Sequence, residues 1–168
     1  CAMAQVMKYW RWPKETKGNT QNNIDFSGRT YDWDNMLDYY YSGYNYAQAN
    51  AVAQLMADIG LVFGTNYAPE GSPTSFSADP LVEYFNFEPD YKTHHGTTGA
   101  DLVDVMKAEL NEKRPVLYSG TGYGRHALVC DGYTNNNYFH FNHGWGGEDD
   151  GYYYQGLCSF SNDVSIPP

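Results

Sequence analysis

The sequence predicts a single α+β domain spanning residues 1–168, helical in its N-terminal half and an antiparallel sheet in its C-terminal half. Three observations carry that expectation. Before residue 112, apolar side chains recur at helical spacing in several stretches. After Arg114 the period changes to short apolar and aromatic runs separated by Gly and Asn turns. Helices first and strands second is the order of an α+β fold, and 168 residues with a 42% hydrophobic fraction suffice for one core.

Taken in order, Ala2 to Trp12 reads as a helix with Met3, Val6, Met7 and Trp10 on its apolar face and Pro13 as its stop. Lys14 to Arg29 is polar and reads as an exposed loop. Thr30 to Leu37 looks like a turn entering a short helix. Tyr46 to Ile59 is the strongest helical pattern, with Ala49, Val52, Ala53, Leu55, Met56 and Ile59 at helical spacing and Gly60 as its C-terminal stop. Turn residues fill 64–80, a helical turn follows over Leu81 to Phe87, and a second strong helix covers Thr98 to Asn111, capped near Thr98 with Leu102, Val105, Met106 and Leu110 on one face. Pro115 to Ser119, His126 to Tyr133, Tyr138 to Asn142 and Tyr152 to Tyr154 are the predicted strands.

A net charge of −10, spread without long runs of one sign, argues against nucleic-acid or anionic-membrane partners. No stretch approaches the roughly 18 consecutive apolar residues of a membrane-spanning helix. The chain opens with neither an initiator methionine nor a secretory leader, so a processed or trimmed product is expected. Its three cysteines, Cys1, Cys130 and Cys158, are an odd number without CxxC spacing, which fits neither a disulfide framework nor a zinc site, and no cofactor is expected.

The chemistry concentrates in Gly124 to Tyr133 and in Phe139 to Gly147. Asn135-Asn136-Asn137 supplies a tight turn between two strands, which brings His126 and the Asn142–Trp145 segment to one end of the sheet. The register, and hence direct contact between His126 and Asn142, is not fixed by the pattern. A histidine, with an unperturbed pKa of about 6.5, can take a thiol proton and return it to a leaving amine. A side-chain amide on its other ring nitrogen would fix the tautomer without adding charge, and Trp145 would shield that bond from water. Either residue alone reads as a locally satisfied polar group; together with Gly144-Trp145-Gly146-Gly147 they read as half of a catalytic site.

At these residues the chain resembles the streptopain family of papain-fold cysteine peptidases. The resemblance runs through Ala4 to Tyr9, Tyr31 to Met36, Leu55 to Gly60, Glu109-Leu110 with Arg114-Pro115-Val116, His126-Ala127 with Asp131-Gly132, and Asn142 with Gly144 to Gly147. It implies a papain-like fold and a secreted or cell-surface bacterial endopeptidase made as a zymogen, without a metal. Its partners would be protein or peptide substrates and a propeptide or inhibitor. His126 is then the general base, with Asn142 and Trp145 supporting it. A non-catalytic papain-fold or carbohydrate-binding module, its tyrosines and tryptophans stacking on sugars, is the alternative.

Two departures from the family pattern stand out. His143 occupies a position where the family carries tryptophan, making it either a second titrating group in the site or a tolerated surface change. Cys1 stands four residues before Gln5, where the family nucleophile stands seven before the matching glutamine. In one reading the segment bearing the nucleophile, and the propeptide before it, lie upstream, and Cys1 is a small buried helix residue. In the other, Cys1 is itself the nucleophile, its thiol acidified by the helix N-terminus and a neighbouring imidazolium. Three helical residues span about 4.5 Å and 300° of rotation, so one register excludes the other; the matches around Gln5 favour the first. Cys130 and Cys158 read as structural, Glu148 to Gly151 as a solvated turn lacking calcium-loop spacing, and His94-His95 as surface, while Tyr39, Tyr40, Tyr41 and Tyr44 read as packing residues over the helix–loop junction in preference to the lining of a substrate groove.

Overall fold

A computed structural model describes residues 1–18, 20–21, 23–69, 71–72, 77–89, 92–95, 100–121, 125–154 and 160–165. Helix α1 (Ala2–Trp10) buries Ala2, Met3, Ala4, Val6 and Met7, the face its spacing predicts. It stops at Trp10 because Arg11 turns left-handed (φ 50), and the Trp12 N–H returns to the Met7 carbonyl at 3.1 Å.

The segment read as an exposed loop is partly core. It forms a small hairpin, β1 (Thr20–Gln21) with β2 (Ile24–Asp25), and delivers Phe26 fully buried against Tyr84 and Phe85. Polarity misled here: the buried Thr16 hydroxyl donates to the Phe26 carbonyl, and the Arg29 guanidinium covers the Phe26 ring at 4.5 Å. The short helix after Thr30 is a 3-10 turn at Trp33–Asn35, with the Asp32 side chain accepting from the Asn35 N–H.

Helix α2 (Tyr46–Val62) starts at a reciprocal capping box between Asn45 and Gln48. It runs through Gly60 rather than stopping there. Gly60 serves close packing instead, since a Cβ built on it would lie 1.8 Å from the Tyr67 hydroxyl. The buried face is also rotated from the predicted one: Ala51, Leu55, Asp58 and Val62 are inside, whereas Ala53 is exposed. The rotation follows from Asp58, which an apolar template counts as solvent-facing. Arg29 Nη1 donates to its Oδ1 at 2.6 Å and the Tyr31 hydroxyl to its Oδ2 at 2.9 Å, so the carboxylate is buried with its charge and lone pairs matched.

Helix α3 (Asp79–Tyr84) is the turn expected near Leu81, and α4 (Ala100–Asn111) is the second strong helix, burying Leu102, Met106 and Glu109. The cap proposed near Thr98 lies outside the described residues. Strands β3 (Lys92–His95), β4 (Val116–Thr121), β5 (Arg125–Tyr133), β6 (Tyr138–Asn142), β7 (Gly151–Tyr154) and β8 (Phe160–Ser165) form one antiparallel sheet in the order β3-β8-β4-β5-β6-β7. Sequence periodicity missed β3 and β8, which lack the apolar runs of their neighbours; the side chains of His94 and His95 lie outside the described residues. Alternating residues of the central strands face two cores. Leu117 and Val129 pack with α1, α2 and α3, while Val116, Tyr118, Leu128, Cys130, Phe139 and Phe141 pack with α4. Among the described residues, no helix is long and apolar enough to cross a membrane.

Candidate active site

The site forms where the start of β5, the chain leaving β6 and the start of α1 meet. β5 and β6 are paired with Val129 opposite Asn142 and with an irregularity between Cys130 and Gly132. Continued past the strand end, that register brings Trp145, not Asn142, opposite His126. Asn142 sits three residues along the strand from His126, about 10 Å at strand rise, and the expected His126–Asn142 hydrogen bond is not the one formed.

Instead, His126 Nε2 lies 2.9 Å from the backbone carbonyl of His143. A carbonyl only accepts, so Nε2 carries the proton and donates, leaving Nδ1 of the neutral ring bare. The tautomer that the sequence reading assigned to a side-chain amide is thus imposed by a main-chain oxygen. Trp145 covers the imidazole, ring centroids 4.6 Å apart, and the His143 ring is nearly parallel to it at 6.0 Å. Trp145 itself is half exposed (51%), so the cover is a flap with one face in solvent.

Asn142 holds the neighbouring backbone. Its Oδ1 accepts from Gln5 Nε2 at 2.7 Å and from the Gly144 N–H at 2.8 Å, tying the loop after β6 to α1. Gln5, used in the sequence only as a register marker, is therefore part of the site. Gly144 has φ +75, and a Cβ there would stand 3.1 Å from the Cys1 Cβ, tighter than ordinary contact. Cys1 is not the small buried helix residue expected if the nucleophile lies upstream: it is the exposed N-cap of α1, with its carbonyl accepting from the Gln5 N–H at 3.1 Å. Cys1 and Gln5, one helical turn apart, thus share the helix face turned to the Asn142–Gly144 loop. Cys130 is fully buried, as a structural cysteine should be, and Cys158 lies outside the described residues.

Two corrections concern the surroundings. Asp150, read as one of a run of solvated acids, accepts the His143 N–H on Oδ1 at 2.7 Å. Of the tyrosines read as packing residues, Tyr40 fits, its hydroxyl bridging the Leu37 N–H and the Gln48 carbonyl. Tyr39, Tyr41 and Tyr44 are exposed, and Tyr41 lies against Gly146, where an added Cβ would be 3.0 Å from its hydroxyl. Among the described residues no cluster of His, Cys, Asp or Glu is arranged to hold a metal ion.

Comparison with known proteins identifies the family of the chain. Residues 1–153 match the Peptidase C10 family. The chain is 33% identical over 173 residues to the thiol protease/hemagglutinin PrtT of Porphyromonas gingivalis, covering 94% of this chain and 20% of that protein. It is 32% identical over 172 residues to streptopain of Streptococcus pyogenes serotype M1, covering 90% of this chain and 43% of that one. Its structure superposes on the active wild-type interpain A cysteine protease of Prevotella intermedia with a TM-score of 0.83 at 32% identity, covering 98% of this chain and 79% of the other. For a fragment of prointerpain A from the same organism the TM-score is 0.84, again at 32% identity, over 97% of this chain and 60% of that one. The chain belongs to the peptidase C10 family of cysteine peptidases, and its α+β architecture is the one those proteases share. It spans less than half the length of the curated relatives it matches.

Proposed function

We propose that this chain is the peptidase domain of a cysteine-type endopeptidase in which His126 shuttles the proton between a thiol and the leaving amine. The observation that carries the reading is the His126 Nε2 bond to the His143 carbonyl, which dedicates Nδ1 to accepting a proton. In the reaction, the thiol gives its proton to Nδ1 and the thiolate attacks the scissile carbonyl carbon. The imidazolium then protonates the departing amine, and water attacks the resulting thioester by the reverse transfer. Trp145 excludes water from one face of the ring, and Asn142 acts one contact away by fixing the loop that carries the His143 carbonyl.

The thiol comes from the N-terminal end of α1, where the unpaired N–H groups of the helix favour a thiolate. The family register puts it three residues before Cys1 and gives Cys1 a supporting position against Gly144. Secretion, zymogen processing by a propeptide, and protein or peptide substrates follow from the same family reading.

Casein hydrolysis by the full-length protein, with and without iodoacetamide, tests the peptidase reading. Alkylation should abolish it, and hydrolysis indifferent to alkylation would sink it. Cys1→Ala then separates the two thiol positions. Activity retained within about threefold assigns the nucleophile upstream, whereas loss to background assigns it to Cys1.

A further inference from the structure

The loop that carries Trp145 has a closure that the proposed chemistry leaves unexplained. β6 and β7 pair with Phe141 opposite Gly151, so Asn142 and Asp150 are the next positions on either side, and residues 143–149 bulge out between them. Two side chains hold the base of this loop. Asn142 accepts from the Gly144 N–H, and Asp150 Oδ1 accepts from the His143 N–H at 2.7 Å. The His143 imidazole is wedged among His126, Trp145 and the edge of Tyr153, at 6.0, 5.4 and 5.7 Å between ring centroids. Its Nδ1 is buried without a hydrogen-bond partner, 3.8 Å from the same Asp150 oxygen. Asp150 is thus bonded to the backbone of His143 and adjacent to its ring nitrogen, while the carbonyl of that residue holds His126.

We propose that Asp150 is a positioning residue for His126, acting through His143: its carboxylate fixes the residue whose carbonyl accepts from Nε2 and thereby selects the His126 tautomer. The inference rests on the reading of His126 as the proton shuttle for its kinetic consequence, but not for its structural one. With Asp150 removed, residue 143 loses the side-chain acceptor for its N–H. The carbonyl on the same residue is then free to move away from Nε2, and the neutral imidazole no longer keeps Nδ1 bare. Displacements of about 1 Å at reacting groups cost up to about a hundredfold in rate. The effect should fall on kcat rather than KM, because it acts on the proton transfer carried out by His126 rather than on substrate binding. An asparagine at 150 keeps an oxygen that can accept from the His143 N–H.

The test compares Asp150→Ala, Asp150→Asn and the control Glu148→Ala, a neighbouring exposed acid. Two readouts are used: kcat and KM on a peptide substrate, and the His126 tautomer from imidazole 15N chemical shifts. Asp150→Ala should lower kcat at least about tenfold with KM within twofold, and shift His126 from the Nε2-protonated form to a mixture of tautomers. Asp150→Asn should restore the wild-type tautomer and keep kcat within about threefold, and Glu148→Ala should match wild type. An unchanged tautomer in Asp150→Ala, or equal losses in the Ala and Asn variants, overturns the proposal. If His126→Ala hydrolyses substrate at the wild-type rate, the proton-shuttle reading fails, and the 15N spectra still decide whether Asp150 positions the ring.

Discussion

The His126 ring is held at Nε2 by a main-chain oxygen, which fixes the tautomer that the proposed proton shuttle needs. A side-chain amide was the partner expected for it. Side-chain amides are natural acceptors, but which atom meets Nε2 depends on a register that the alternation of apolar residues leaves open. The structure substitutes the His143 carbonyl and turns Asn142 toward Gln5 and Gly144. Two outcomes follow at this scale. Gly144→Ala forces a side chain into a left-handed position and to 3.1 Å from the Cys1 Cβ, so it should cost about 1–3 kcal/mol in chemical denaturation and depress hydrolysis. Asn142→Ala leaves the Gly144 N–H and Gln5 Nε2 without their acceptor. It should destabilise by about 1–3 kcal/mol and lower kcat, while His126 keeps its main-chain acceptor and some turnover remains.

Among the elements, the main helices were legible as helices, and what a buried charge altered was the face that α2 turns inward. The face of α1 followed its spacing, whereas α2 turned so that Asp58 could meet Arg29 and Tyr31. Likewise the polar stretch after Lys14 hid Phe26, because one aromatic among Asn, Thr and Gly carries no period. Removing the acceptor at this junction should be costly: Asp58→Ala leaves Arg29 and the buried Tyr31 hydroxyl unmatched and should lower stability by about 3 kcal/mol in urea unfolding. Burial, reinforced by the Asp58 carboxylate, pushes the Tyr31 phenol well above its ordinary value of about 10. Because the folded state favours the protonated phenol, its contribution is intact below pH 10 and is lost as pH rises beyond it. Urea midpoints measured from pH 8 to 11.5 should therefore fall more steeply above pH 10 in wild type than in Tyr31→Phe, and parallel curves would contradict this.

For the molecule as a whole, the sheet separates two cores and the site sits at their edge, where α1 meets the loop between β6 and β7. The order of helices and strands made the architecture readable, and it left out the short β1–β2 hairpin and the strands β3 and β8, which lack apolar runs. The joint between the helical half and the sheet half is tied by the Gln5–Asn142 hydrogen bond, beside the His126 ring that the proposed function uses. The central claim is that His126 shuttles the proton in a thiol peptidase. Its most direct test is kcat/KM for a peptide substrate, measured on full-length protein carrying His126→Ala. A fall of about a thousandfold or more, with the fold intact by circular dichroism, is the predicted result. Hydrolysis at the wild-type rate would contradict it.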